Sequence, residues 1–378
     1  ATEATCKLLP LALYDSLKVL KSTAKWSSSK VLYNDNDVNH TLSLLKPLKY
    51  EETFNIGEHV KVTFFNNGHI IGSAIILVKL TYPGYQDINL LFTGDYNNKN
   101  MFLDVKGIPP WVLKLPITVI QEATYGDMDS SSIRKSFRNN LKKSIEEEKT
   151  AVVLAFSLGR SQEILYELKG MQENGELTDV PIYFDGNLAI RYTYLYCKDK
   201  LGIKEEMKDF LPKNLTFVSK ANRKKILDDT NKKIILTTSG MGSYGPARTY
   251  IPEYIGREDA LIQFTGYTAE GTLGRNLKDT QYGEMVQVNG LMKKKRANVE
   301  YTTEFSAHAK ADEMIEFLKQ FRDLKLVLVN HGEDETKKVF AKRIVKYVDA
   351  KHVGLLGNDY FFRVNAYGLV KTLSTKFR

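Results

Sequence analysis

Thiols are scarce. Two cysteines, Cys6 and Cys197, occur in 378 residues, far apart and outside any CxxC spacing. That excludes a disulfide-stapled scaffold and a thiolate zinc site, and it suits a reducing cytoplasm. Long apolar runs are also missing. The best candidate, AIILVKL at 74–80, is interrupted by Lys79 and falls short of the ~18 residues of a membrane span. No GxxxxGKS/T and no HExxH occurs, so P-loop phosphate chemistry and the helical zinc-protease arrangement are set aside. There is no internal repeat and no low-complexity segment. The opening LLPLALYDSLKVL lacks a basic leader and a small-residue cleavage site. Its Leu9, Leu13, Leu17 and Leu20 fall on one helical face, so it reads as a helix over 1–25 and not as a signal peptide.

What is present is the composition of a globular chain, 43% hydrophobic and 26% charged. The length exceeds the ~250–300 residues at which single cores stop growing, so two domains are expected. The formal net charge of +9 favours a polyanionic partner such as nucleic acid. Short strands are predicted at 60–65, 74–80, 88–93 and 117–121, separated by the turn signals NNG, YPG and IPP. From about residue 130 the pattern changes. A charged helix over 131–149 leads into AVVLAF, and strands then alternate with helices to about 278, as in a doubly wound parallel sheet. Beyond 285 the reading is strand-rich, then helix 309–321, strand 324–330, helix 333–347 and two closing strands within 352–369.

Histidine is sparse, with six in the chain, yet three share one setting. His69 in NNGHIIGSA, His308 in FSAHAKAD and His331 in LVLVNHGED each lie at a strand end among small residues that permit close approach. Asp95, in INLLFTGDYN, and Glu122, in VIQEATYGD, sit in the same way. A strand-end aspartate is commonly a turn or helix cap. Imidazole with carboxylate is also the ligand set of a hydrolytic zinc site, where a bridging carboxylate can hold two ions ~3.5–4 Å apart. A histidine beside a carboxylate could protonate a leaving oxygen. TSGMGSYGP at 238–246 reads equally as a glycine-rich turn or a backbone cradle for phosphate, and KKKR at 293–296 as a solvated strand or a set of phosphate contacts.

The ordered set GHIIGSA, TGDYN, QEATYGD, AFSLGRSQEIL, TTSGMGSYGPA, FTGYTAEGTLGR, FSAHAKAD and NHGE resembles the β-CASP metallo-β-lactamase nucleases, which include RNase J and the nuclease subunit of the cleavage and polyadenylation factor. The resemblance runs from the first residues to about 335. It implies an α/β fold: a metallo-β-lactamase αββα sandwich over 1–128 and 286–378, interrupted by a doubly wound β-CASP domain over 129–285 that closes over the metal cleft. It implies His69, Asp95 and His331 as zinc ligands, with Asp95 bridging. Glu122 and His308 would act together at the leaving group, and Ser157, Arg160, Ser239, Gly266 and Tyr267 would lie along the RNA path. The histidine in NHGE favours RNA over DNA.

The family's HxHxDH signature is absent from the chain, which therefore reads as beginning inside the first domain, with the sandwich N-terminally incomplete. The expected function is that of a zinc-dependent ribonuclease in RNA processing or decay, with two zinc ions in the parent protein. The alternative is a non-catalytic RNA-binding or scaffold member of the same family. Expected partners are RNA and no membrane, with a homodimer or a completing chain covering the open sheet, in a cytoplasmic location.

Overall fold

The computed structural model describes residues 1–27, 30–199, 202–357, 360–365 and 370–374. They pack as two compact units, one comprising 1–6, 44–132 and 307–378, the other 7–43 and 133–306.

In the first unit, β1 (Thr53–Ile56), β2 (Val60–Asn66), β3 (Ala74–Leu80), β4 (Ile88–Phe92), β5 (Pro116–Glu122), β14 (Asp323–Asn330) and β15 (Ala350–Leu355) form one seven-stranded sheet. The order is β1-β2-β3-β4-β5-β14-β15. The pairs β1–β2, β2–β3 and β3–β4 are antiparallel, whereas β4–β5, β5–β14 and β14–β15 are parallel. The burial pattern follows that division. β3 alternates between buried and less buried positions over 74–78, but β14 carries a continuous buried run over 326–329, as expected of a parallel strand covered on both faces. Helix α3 (Pro110–Leu113) precedes β5; α10 (Ala311–Leu318) and α11 (Asp334–Tyr347) lie either side of β14 in the chain. Met314, Leu318, Phe340 and Ile344 from the latter two join Val119, Val327 and Val329 in one core cluster. A hairpin of β16 (Tyr360–Val364) and β17 (Val370–Ser374) follows. Of the closing strands expected within 352–369, residues 358–359 and 366–369 lie outside the described residues.

The second unit contains the greater part of α1 (Glu3–Ser27), α2 (Asp35–Ser43), and the alternating run. That run is α4 (Phe137–Glu146), β6 (Thr150–Leu154), α5 (Arg160–Glu173), β7 (Ile182–Asp185), α6 (Asn187–Asp199), β8 (Leu215–Phe217), α7 (Arg223–Asp228), β9 (Lys233–Thr237), α8 (Ala247–Tyr254), β10 (Ala260–Phe264) and α9 (Leu273–Asp279). The hairpin β11 (Met285–Val288) and β12 (Leu291–Lys294) and then β13 (Asn298–Tyr301) complete it. Six strands form a wholly parallel sheet in the order β13-β10-β6-β9-β7-β8. Every residue of β6, β9 and β10 is buried, which requires helices on both faces. This is the doubly wound sheet that the alternation predicts.

Two local differences have identifiable causes. The charged helix predicted from 131 starts at Phe137. Before it, the Arg134 N–H donates to Thr303 Oγ1 at 2.8 Å, and the N–H groups of Ser136 and Phe137 donate to Glu304 Oε1 at 3.1 and 2.9 Å. A carboxylate remote in sequence thus satisfies the helix's first donors and sets its start. β13, in turn, extends the parallel sheet by pairing with β10.

Charge is buried at the end of β7. The Asp185 carboxylate accepts from Arg223 Nε and Nη2 at 2.6 and 2.9 Å and from the Tyr250 hydroxyl at 2.8 Å, with its side chain 3% exposed. Asp185→Ala would leave the guanidinium without its counterion, and a loss of ~3–5 kcal/mol in urea unfolding is expected. A loss below ~1 kcal/mol would show that the cluster is not under strain of burial.

Candidate metal and catalytic centre

Three parallel strands, β4, β5 and β14, end side by side in the first unit, and each delivers one ionisable group. Asp95 follows β4 after Thr93 and Gly94, Glu122 is the last residue of β5, and His331 directly follows β14. The register pairs Glu122 with Asn330, so the ends of β5 and β14 are level. The Ala123 N–H donates to the His331 carbonyl at 2.8 Å. His331 has φ of 43°, and the next residue, Gly332, is so close to β5 that a β-carbon there would lie 2.8 Å from the Ala123 carbonyl oxygen. Glycine is needed at that position.

His69 arrives from the β2–β3 connection, which the antiparallel pairing places at the same end of β4. Asn67 organises this loop. Its Nδ2 donates to the carbonyls of Thr93 and Asp95 at 3.1 and 2.7 Å, and its Oδ1 accepts from the His69 N–H at 3.1 Å. Gly68 follows at φ of 72°, and a β-carbon there would meet the Asn97 carbonyl oxygen at 2.1 Å. His308 precedes α10, where the Ala309 N–H donates to the Tyr96 carbonyl at 2.7 Å.

The side chains converge. Asp95 stands between two imidazoles: Oδ1 is 3.4 Å from His331 Nε2, and Oδ2 is 3.9 Å from His69 Nε2. One donor atom from each of His69, Asp95 and His308 lies within 4.8 Å of the others. His69 Nδ1 is 2.9 Å from the Ala307 carbonyl oxygen, which needs the proton on Nδ1 and leaves Nε2 with its lone pair. Burial lowers the His69 pKa and outweighs the carbonyl's opposing effect, so the neutral ring that a metal requires is favoured.

Glu122 is 3% exposed. Both its oxygens lie within reach of His308 Nδ1, at 3.1 and 3.0 Å. Oε1 also accepts from the Tyr96 N–H at 2.8 Å, and Oε2 from the Thr124 N–H at 3.3 Å. Burial pushes the Glu122 carboxyl up, but the His308 hydrogen bond and charge and these backbone donors prevail, and its pKa lies below the ordinary value. The rings of His308 and His331 are stacked at 6.2 Å, and Tyr125 meets His308 edge-on at 6.0 Å.

The donor chemistry fits a divalent zinc: neutral imidazole and carboxylate, gathered at strand ends, with the far nitrogen of His69 already hydrogen-bonded. His69, Asp95, His308 and His331 are the side chains that could hold it.

The other five predicted positions lie in the second unit, at the carboxyl ends of β6, β9 and β10, which are adjacent in the order β10-β6-β9. Ser157 and Arg160 follow β6, Ser239 follows β9, and Gly266 and Tyr267 follow β10. This is the edge at which doubly wound sheets bind ligands. Arg160 is 7% exposed; its Nη1 pairs with Glu163 at 2.8 Å, while its Nε is buried without a hydrogen-bond partner among the described residues. Sequence reasoning missed two residues. Asn67 was visible only as part of an NNG turn. Phe156 is 39% exposed and lies against Gly240, where a β-carbon would come within 3.0 Å of its ring, and against Gly266.

Known proteins carry the same two signatures. Residues 161–277 match the Beta-Casp domain, and residues 293–353 match the Zn-dependent metallo-hydrolase RNA specificity domain. The chain is 32% identical over 365 residues to the transcription termination factor FttA of Methanosarcina mazei, covering 91% of this chain and 56% of that protein. It is 29% identical over 360 residues to the RNase J-like protein of Methanocaldococcus jannaschii, covering 91% of this chain and 78% of the relative. To the Probable RNase MJ4 of the same organism it is 30% identical over 341 residues, covering 88% and 75%. The chain belongs to the β-CASP family of metallo-β-lactamase-fold nucleases. Its α/β architecture, with an inserted doubly wound domain, is the one read from the sequence. No described helix is long and apolar enough to cross a membrane.

Asn67→Ala removes four hydrogen bonds, the three described above and the one that its Oδ1 accepts from the Ser73 hydroxyl, at a residue that is 2% exposed. Buried groups left unpaired cost ~1–3 kcal/mol each. The expected result is a lower unfolding midpoint together with zinc affinity reduced by ~10–100-fold in titration, as for loss of an orienting partner. Unchanged zinc affinity would show that Asn67 does not position His69 and Asp95.

Proposed function

We propose that the protein is a zinc-dependent ribonuclease that hydrolyses RNA phosphodiesters in RNA processing or decay. The observation that carries this reading is the His308–Glu122 pair set beside Asp95 and its two imidazoles. Bound zinc supplies a hydroxide at neutral pH and positive charge for the phosphate. His69, Asp95 and His331 are the residues that would hold it. With Nδ1 engaged by Glu122, His308 has Nε2 to exchange a proton with a phosphate or leaving-group oxygen. Glu122 acts through His308. Its ionised carboxylate fixes the ring's orientation and stabilises the imidazolium that forms when the ring holds the proton.

The second unit supplies contacts to the RNA under this reading. Phe156 and Tyr267 present partly exposed rings, and Ser157, Arg160, Ser239 and Gly266 lie at the same strand ends. Charged donors for phosphate and rings for bases are what single-stranded RNA requires. The similarity to proteins named RNase J-like and Probable RNase supports the substrate class. A cytoplasmic location accords with an RNA substrate and with two widely separated cysteines.

A carboxylate behind a histidine is also the arrangement found behind metal-ligating histidines, so His308 needs a direct test. In the full-length protein, Asp95→Ala should lose zinc and RNA hydrolysis together. His308→Ala should keep its zinc and lose ~10²–10⁴ in turnover. Zinc by elemental analysis and hydrolysis of a labelled RNA check both. If His308→Ala also loses zinc, His308 is a ligand and the assigned proton transfer is wrong.

A further inference from the structure

The run KKKR at 293–296 belongs to neither set of strand ends described above. Its last two residues line a cavity of ≈ 420 Å³ at the opposite edge of the second unit's sheet, where the strands begin. Lys149 immediately precedes β6, Glu258 precedes β10, and Asn298 opens β13. The five-residue strands separate this edge from Ser157 and Gly266 by ~16 Å at ~3.3 Å per residue. That exceeds the ~8–10 Å over which charges are felt at physiological ionic strength.

The lining is strongly one-signed: Lys149, Lys278, Lys295 and Arg296 against the single carboxylate of Glu258. Lys149 is paired elsewhere, with Glu147 at 2.6 Å. Lys295 is 8% exposed, and its ammonium donates to the carbonyls of Leu277 and Thr280 at 2.7 and 2.6 Å. It therefore caps the end of α9, and that role alone needs one lysine. It does not explain why Lys278 and Arg296, both exposed, stand beside it with no ion pair among the described residues; the Lys278 ammonium lies over the Tyr301 ring, 5.5 Å from its centre. Tyr282, on the same cavity, is 65% exposed. Unpaired cations with an exposed ring are the elements of a single-strand site: charges for consecutive phosphates and a face on which a base stacks.

We propose that this cavity is a second RNA-binding site, an exosite that holds single-stranded RNA by phosphate contacts to Lys278 and Arg296 and base stacking on Tyr282. It rests on the ribonuclease reading for the identity of the polyanion. Lys295 holds the base of the cavity in place. An extended RNA could reach both edges of the sheet, which would add affinity for long RNAs without adding contacts at the reacting phosphate.

The test uses the full-length protein and a fluorescent single-stranded RNA of ~16 nucleotides, followed by anisotropy over a range of salt. K278A/R296A should weaken binding by ~10-fold and make the slope of log Kd against log salt shallower by ~1.4, at ~0.7 per lost phosphate contact on a single strand. Tyr282→Ala should weaken binding by ~5–100-fold, the loss of one stacked base. Both substitutions are at exposed positions, and circular dichroism checks that the fold is kept. Tyr267→Ala, at the carboxyl edge, serves as comparator. If it weakens RNA binding while both cavity variants match the parent in affinity and slope, the exosite is refuted and the ribonuclease reading stands. If the parent protein itself shows no RNA binding at any salt, the ribonuclease reading fails and the exosite with it.

Discussion

A carboxylate that is 3% exposed cannot stay ionised without partners, and the partners of Glu122 bring the first unit's site together. Its oxygens draw the Tyr96 N–H from the segment after β4, the Thr124 N–H from its own turn, and His308 from the segment before α10. The Thr93 hydroxyl accepts from the Glu122 N–H at 3.1 Å, tying β5 back to the same segment. The elements that carry Asp95 and His308 are thereby fixed to one group. Removing such a partner leaves a buried charge uncompensated, at a cost of ~3–5 kcal/mol, so the segments that meet at Glu122 are held by more than packing. The same bond that satisfies the carboxylate also orients the imidazole. Stability and chemistry share one interaction.

Parallel strand order supplies the geometry. In the first unit β4, β5 and β14 point the same way and finish together; in the second, β10, β6 and β9 do so. Adjacent parallel strands lie ~4.8 Å apart, so residues just past their ends are within a few ångströms of each other although 27 and 209 positions separate Asp95, Glu122 and His331 in sequence. Crossover connections make this possible, and the long insertion between β5 and β14 is one such connection. The loops are short and rich in small residues where the chain approaches itself most closely, at Gly68 and at Gly332.

Much of this was legible beforehand. The buried runs TAVVL, KIILT and ALIQF carry their own boundaries, because a strand covered on both faces admits few polar residues and turn chemistry ends it. Asp95, Glu122 and His331 could be singled out because each follows or ends an apolar strand where a bland residue would serve, whereas His308, expected at a strand end, lies in the connection before α10. What stayed hidden depends on partners remote in sequence. The start of α4 is set by Glu304, the pairing of β13 by β10, and the role of Asn67 by the carbonyls of Thr93 and Asp95. α2 and β1 are short and polar, with a single buried residue in α2 and none in β1, so they leave little periodic signal. The placement of His308 within the cluster of His69 and Asp95 was likewise beyond the reach of local pattern, since it depends on where the segment before α10 is held by Tyr96 and Glu122.

The claim on which the proposed chemistry stands is that His69, Asp95 and their neighbours hold zinc. The measurement that bears on it most directly is elemental analysis of the purified protein after dialysis against metal-free buffer, with circular dichroism on the same sample. The proposed centre predicts zinc retained at about one ion or more per chain, as strand-end imidazoles and a carboxylate held in place by hydrogen bonds should bind it firmly. A folded chain that retains none, and takes up none when zinc is added back, would contradict it.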